Sequence, residues 1–230
     1  MADAAADLAT AATATDDAAA GDAGRAEVYA LLAALLSAPP DREFLDFLQT
    51  LAPAAEGAEA AGATNNAGDA NGDAADAAPT IDALWRQLRD AAAAAAPEQL
   101  DDEYHALFIG LGRGEVVAFG SWHLTGFLME QPLSDLRDDM KSLGLAADAA
   151  QKDPEDHIAA LCESMALIIR AADIDAAREK RFFARHIEPW AGRFFAELQV
   201  AKSAVFYRAV GALGARFVES ESRYLHMAGN

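Results

Sequence analysis

The sequence predicts an all-α fold, a single-domain helical bundle of about ten helices, and three observations support this prediction. Large apolar residues recur at helical spacing through most of the chain between about residues 26 and 225. No segment alternates between apolar and polar residues for long enough to form a convincing strand. The sequence has no repeat at a fixed period, which argues against a solenoid or a propeller.

Composition divides the chain into a tail, a domain and an insertion. Residues 1–24 contain mostly alanine, aspartate and threonine, and we expect them to form a disordered acidic tail. The helical domain is expected over 25–225. It is interrupted by 53–80, a low-complexity segment of Gly, Asn, Ala and Asp that we interpret as a flexible insertion.

Start and stop signals separate the individual helices. Two prolines end the first helix, and Asp41 is placed to cap the second. Pro97 interrupts the helical pattern, and Gly144 provides a stop signal. The first predicted helices cover 26–37, a segment that starts after Asp41, a segment that starts at residue 81, and 98–109. The glycine-rich loop 110–121 follows, and the helix after it ends near residue 129. The remaining helices are predicted over 132–143, 154–172, 174–190, 191–200 and 202–225.

Charge and cysteine content exclude several classes of protein. The formal charge of −19 argues against nucleic acid as a partner, since phosphates require a basic surface. No run of about 18 apolar residues is present, so we expect no membrane insertion. The N-terminus carries no pattern of a secretion signal. Cys162 is the single cysteine, which prevents an internal disulfide and fits a reducing cytoplasm.

The run Asp153-Pro154-Glu155-Asp156-His157 precedes a strongly apolar helix. Asp153 is a suitable N-cap, and Pro154 suits the first helical position. At 100° per residue, Asp156 should point away from the buried face, whereas His157 should lie on its flank. The sequence leaves three interpretations open, namely a helix start, a binding surface and a catalytic pair.

Catalytic and metal sites are weakly indicated. Neighbouring side chains on a helix diverge by about 100°, so Asp156 and His157 do not form the orienting pair of a triad. Cys162 lies on the apolar stripe, as a structural thiol would. The five histidines lack zinc-ligand spacing. The sequence Gly-Leu-Gly-Arg-Gly at 110–114 lacks the Lys-Ser/Thr ending of a phosphate loop, so a nucleotide-binding or hydrolysing enzyme remains only an alternative.

Several motifs in order resemble the TorD/DmsD family of redox-enzyme maturation chaperones, which is related to the NarJ chaperones. They are an aromatic-x-x-Leu-Phe element, a Gly-Ser step, Pro-Leu-x-x-Leu-Arg, acid-Pro-x-Asp-His and His-x-x-Pro-Trp. In this chain they are Tyr104–Phe108, Gly120–Ser121, Pro132–Arg137, Asp153–His157 and His186–Trp190. The similarity covers about 26–222 without the insertion. Two departures are Asp153 in place of Glu, and Val117-Ala118-Phe119 where many relatives have proline.

The resemblance implies a TorD-like fold, a cytoplasmic location, no enzymatic activity and no cofactor. It also implies two partners, the twin-arginine signal peptide and the apo catalytic subunit of a molybdenum-containing oxidoreductase. Such a chaperone assists cofactor insertion and prevents premature export. A helical scaffold for a folded partner is a further alternative. The sequence leaves open whether the protein is a monomer or a domain-swapped dimer.

A receptor for a twin-arginine peptide needs carboxylates beside an apolar groove. Asp156 would receive a guanidinium, and aromatic side chains would contact the apolar part. Arg137 is better explained as an ion-pair partner, whereas His186 and Trp190 are better explained by packing between helices. The candidate binding residues are Tyr104, Phe108, Phe119, Ser121, Trp122, His123, Arg137, Pro154, Asp156 and His157.

Overall fold

The computed structural model describes residues 21–51, 79–110, 114–146 and 153–227. Over these ranges the chain is helical, and the only extended pairing is an isolated bridge. The all-α, single-domain prediction is therefore confirmed. Residues 1–20 of the predicted tail and all but the last two residues of the predicted insertion lie outside the described residues. Residues 21–24 were assigned to the tail, and this was wrong because they are helical.

Ten α-helices make up the described part of the chain. They are α1 (21–37), α2 (Arg42–Thr50), α3 (Ile81–Ala94), α4 (Pro97–Tyr104), α5 (Gly120–Thr125), α6 (Gln131–Ser142), α7 (Ile158–Arg170), α8 (Ala176–His186), α9 (Ala191–Val200) and α10 (Phe206–Met227). A π-helical turn, His105–Ile109, continues α4. Among the described residues, no helix has both the length and the apolar character needed to cross a membrane.

The helix ends follow local chemistry at most positions. The Asp41 carboxylate accepts the backbone N–H of Phe44 at 2.8 Å, which confirms the predicted cap of α2. Asp175 caps α8 in the same way through Arg178 N–H. Gly144 follows α6 with a φ of 74°, a left-handed conformation that costs glycine little.

Helix α7 is buried almost all round. Its predicted apolar stripe is confirmed at Ile158, Leu161 and Met165, each at most 1% exposed. The other residues between Ile158 and Met165 are also buried except Glu163, and the exposed positions of α7 are Glu163, Leu167 and Arg170. The periodic pattern predicted one buried face, but alanines on the other faces allow neighbouring helices to enclose α7.

Close packing of α9 on α10 is possible because of one glycine. A Cβ atom built on Gly214 would lie 2.2 Å from the ring of Phe195, which is fully buried. The N-terminus of α10 is held by α4, because the Glu103 carboxylate accepts the N–H groups of Val205, Phe206 and Tyr207 at 2.8, 3.2 and 2.8 Å. These donors are the groups that a helix start leaves unpaired.

A cluster of charged residues joins α1 to α8 and α10. The Arg25 guanidinium donates to both oxygens of Glu221, at 2.7 and 2.8 Å, and also to Glu179. It pairs with Asp22 and lies over the ring of Tyr224. Glu221 is 2% exposed, so without Arg25 its carboxylate would be buried without this partner. This cluster fixes the start of the described chain to the bundle.

Candidate functional site

Two distant segments meet at the start of α7. Residues 118–120 run antiparallel to 156–158, with Ile158 N–H donating to the Ala118 carbonyl at 2.8 Å and Gly120 N–H donating to the Asp156 carbonyl at 2.9 Å. Phe119 and His157 are the bridged pair, and their rings lie edge to face at 5.1 Å. This pairing brings the Gly-Ser and Pro-x-Asp-His motifs together.

The pairing also moves the start of α7. We expected Asp153 to cap the helix and Pro154 to occupy its first turn, and this was wrong because α7 begins at Ile158. His157 must be extended to form the bridge to Phe119, so the helix cannot begin before Ile158. His157 is the cap instead, since its Nδ1 atom accepts the N–H of Ala159 at 3.2 Å.

Asp156 was expected to face an open groove, and the structure contradicts this. Its side chain is 3% exposed, and Oδ2 accepts the Ser121 N–H at 2.7 Å. The Oδ1 atom is buried and has no hydrogen-bond partner within the described ranges. Asp156 therefore fixes the beginning of α5 and cannot reach an external guanidinium in this conformation.

Helix α5 is held from both sides. Gly120 lies against the indole of Trp190, where an added Cβ atom would be 3.0 Å from Nε1. Ser121 is fully buried, and its hydroxyl accepts the N–H of Met129 at 3.2 Å. Its carbonyl accepts the hydroxyl of Thr125 at 2.8 Å. Ser121 thus links Asp156 to the loop that follows α5.

Three aromatic side chains, those of His123 in α5 and of Trp190 and Phe194, form a packed row. The His123 ring stacks on Trp190 at 5.0 Å, and its Nε2 lies 2.7 Å from the Val117 carbonyl. Trp190 donates its Nε1–H to the His186 carbonyl, and His186 pairs with Asp139 at 2.8 Å. The expected packing role of Trp190 and His186 is confirmed, because both are at least 94% buried. His123 belongs to this row, while Trp122 beside it is half-buried.

The loop after α5 exposes an unusual amount of apolar surface. We predicted helix as far as about Met129, but α5 ends at Thr125 and Gly126 adopts a left-handed φ of 83°. Leu124, Phe127, Leu128 and Met129, which we name the apolar loop, are 42%, 68%, 51% and 72% exposed. Met129 itself has a φ of 60°, which is rare for a residue other than glycine and marks local strain.

A cleft of about 290 Å³ lies beside the apolar loop. It is lined by Met129, Glu130, Gln131, Leu133, Ser134, Arg137 and Pro154. Arg137 pairs with Glu155 through Nε, at 3.0 and 2.9 Å from the two carboxylate oxygens, and through Nη2 at 2.7 Å. The expected ion pair of Arg137 is confirmed. Because of this hydrogen bonding, the pKa of Glu155 lies below its ordinary value and that of Arg137 above it.

Tyr104 and Phe108 are placed differently from our expectation. Tyr104 is 8% exposed, and its hydroxyl donates to the Leu36 carbonyl at 3.2 Å. Both rings pack against Tyr207, at 5.9 and 5.4 Å. Burial, together with the charge of Asp153, raises the pKa of Tyr104 to about 12. Tyr104 therefore belongs to the core and does not present a binding surface, while Phe108 is half-buried.

The structure adds residues that the motifs did not indicate. Glu130 is the acid that lines the cleft, and Glu155, whose side chain is 18% exposed, is joined to the cleft through its ion pair with Arg137. Phe127, Leu128 and Met129 supply the apolar surface. Gly126 was an available signal in the sequence, since a glycine followed by three large apolar residues is a poor helix continuation.

The chain matches one protein-family model. A family model described as "Nitrate reductase delta subunit" matches residues 74–196. That range includes the cleft, the apolar loop and all ten candidate binding residues. No curated protein matches the chain significantly.

Proposed function

Because the chain belongs to the nitrate reductase delta subunit family, whose members are redox-enzyme maturation chaperones, we propose that it binds the N-terminal leader of a molybdoenzyme catalytic subunit. The leader in this proposal carries a twin-arginine motif followed by an apolar segment. The protein holds the apo subunit in the cytoplasm while the cofactor is inserted, and thereby delays export. The motifs shared with the TorD/DmsD branch support this more specific assignment.

The observation that carries the proposal is the apolar loop beside an acidic cleft. The side chains of Phe127 and Met129 are 68% and 72% exposed, which leaves most of their apolar surface in water. Glu130 lines the same cleft as Met129, and Glu155 is paired with Arg137 of that cleft. A leader with arginines ahead of an apolar stretch matches this order of surfaces in both charge and hydrophobicity.

The candidate residues have different roles in this proposal. Phe119, Trp122 and Pro154 are half-buried, and Pro154 lines the cleft, so we retain all three as contact residues. Ser121 and Asp156 position α5 and the loop through hydrogen bonds. His123, His157 and Tyr104 act through packing.

The proposal is tested with a synthetic twin-arginine leader peptide from an oxidoreductase encoded near the gene. We expect binding by isothermal titration calorimetry, and weaker binding when both arginines are lysines, because lysine cannot make a bidentate contact. A Phe127→Ser/Met129→Ser variant should lose about 2 kcal/mol, roughly thirtyfold in affinity, because two large side chains no longer bury apolar surface.

The matched control is Val200→Ser/Val205→Ser, which removes two apolar side chains that are 82% and 77% exposed but lie elsewhere. Its affinity should equal that of the wild type. If the wild-type protein binds no leader, or if both double variants bind equally well, the proposed function is incorrect.

A further inference from the structure

A guanidinium already occupies the acidic edge of the cleft, and it belongs to the chain itself. Arg137 contacts both oxygens of Glu155, with three donor–acceptor distances between 2.7 and 3.0 Å. The Arg137 side chain is 56% exposed, whereas that of Glu155 is 18% exposed. This is the paired geometry that an arginine of a bound peptide would adopt on a carboxylate.

Glu155 is better suited than its neighbour to receive an arginine from outside. Asp156 is buried, and one of its oxygens is used by the Ser121 N–H. Glu155 is partly exposed, and the group that covers both of its oxygens is a flexible, largely exposed side chain. The Arg137 end of the pair is exposed, and an ion pair at the protein surface shifts an equilibrium by only about 1.5-fold to fivefold, so Arg137 can leave at small cost.

The position of Arg137 ties this pair to the peptide surface. Arg137 and Pro154 line the cleft together with Met129, the last residue of the apolar loop. A peptide whose apolar segment covers the loop would therefore bring its preceding basic residues to the Arg137–Glu155 pair. Arg137 and an arginine of the peptide cannot both bind the two carboxylate oxygens of Glu155 at these distances.

We propose that the Glu155 carboxylate is the arginine-binding group of the leader site, and that Arg137 occupies it in the free protein as an internal competitor. This inference rests on the proposed function, because the competing guanidinium comes from the leader. Arg137 keeps the carboxylate ionised and oriented until the peptide arrives. The leader arginine then replaces Arg137 and makes the same hydrogen bonds to Glu155, and the Arg137 side chain moves into solvent.

The inference predicts that removing an arginine tightens the binding of a peptide. Arg137→Gln should bind the twin-arginine peptide about 1.5-fold to fivefold more tightly than the wild type, as expected for the loss of an exposed competing pair. Glu155→Gln should weaken binding by about tenfold or more, because the charged acceptor is lost. Calorimetry measures both, and circular dichroism checks that each variant remains folded.

Two controls separate local competition from general charge. Arg193→Gln removes an arginine that is 68% exposed and paired with Glu197 on α9, and its effect should be smaller than that of Arg137→Gln. In a Glu155→Gln background, Arg137→Gln should no longer improve affinity beyond the Arg193 control, because no shared acceptor remains.

The outcomes distinguish this inference from the proposed function. If the wild type binds the leader but Arg137→Gln binds it equally or more weakly, Arg137 is a contact or positioning residue and the competition is overturned. If Glu155→Gln binds as the wild type does, Glu155 is not the acceptor. If neither the wild type nor any variant binds a leader, the proposed function and this inference are both incorrect.

Discussion

Lowering the pH from about 7.5 to about 5.5 should weaken the fold through two buried histidines. His157 is 8% exposed and its Nδ1 atom accepts the Ala159 N–H, so the neutral ring is required at the start of α7. Burial lowers its pKa below the ordinary 6.5, although Asp153 and Asp156 act in the opposite direction. Burial also lowers the pKa of His186, against the effect of Asp139.

The direction of this pH effect follows from which state of the chain, folded or unfolded, binds more protons. Below pH 6.5 the unfolded chain takes up a proton at each histidine, while the folded chain resists it. The contribution to stability is therefore complete above pH 6.5 and is lost as the pH falls towards the folded-state pKa. Each histidine should contribute a slope of up to about 1.4 kcal/mol per pH unit within that window.

The assay compares the wild type with His157→Asn by urea unfolding at a series of pH values. Asparagine keeps a side-chain acceptor at the cap but cannot gain a proton. The unfolding free energy of the variant should fall less steeply, by about 1.4 kcal/mol per pH unit. Glu179, whose pKa is raised by burial, acts with the opposite sign, but it is present in both proteins and cancels. Parallel curves for the two proteins would refute the assigned role of His157.

Two further predictions concern stability, and both are measured by urea unfolding. Glu103→Ala should lower the free energy of unfolding by about 2–4 kcal/mol, because three N–H groups at the start of α10 lose a charged acceptor. The control Glu98→Ala, in the same helix as Glu103, should change it by less than about 0.5 kcal/mol. Equal effects of the two would exclude the capping role. Arg25→Met should cost about 3–5 kcal/mol by leaving Glu221 buried and unpaired, and a loss below about 1 kcal/mol would contradict this.

The helical class was predictable because it depends on local periodicity. Apolar spacing identified the helices, and short-range signals such as Asp41 and Gly144 identified several of their ends. These interactions involve residues three or four positions apart, so the sequence alone contains both partners.

The start of α7 was not predictable by the same reasoning. Asp153 and Pro154 form a good local start signal, yet the helix begins at Ile158 because residues 118–120 pair with 156–158. A contact between segments almost forty residues apart outweighs a cap worth about 1 kcal/mol. Burial of Asp156 follows from that same pairing, so it was equally inaccessible to local reasoning.

The order of motifs located the region of the site better than it located the side chains. Phe119, Ser121, Asp156 and His157 do come together, through backbone pairing and through the Ser121–Asp156 hydrogen bond. Tyr104 does not join them, because its aromatic ring and hydroxyl satisfy packing and hydrogen bonding inside the bundle. A motif records which residues a fold requires, and packing residues meet that requirement as well as contact residues do.

The turn before α7 therefore assigns different tasks to two adjacent carboxylates. Asp156 points inwards and holds the Ser121 backbone, which in turn holds Met129 of the apolar loop. Glu155 points outwards to the cleft and meets a guanidinium. A binding defect caused by a change at Asp156 would consequently report on the position of α5 and its loop, whereas a defect at Glu155 without loss of stability would report on recognition. Unfolding and binding measured on the same samples separate the two, because the inward carboxylate affects both quantities and the outward one should affect binding alone.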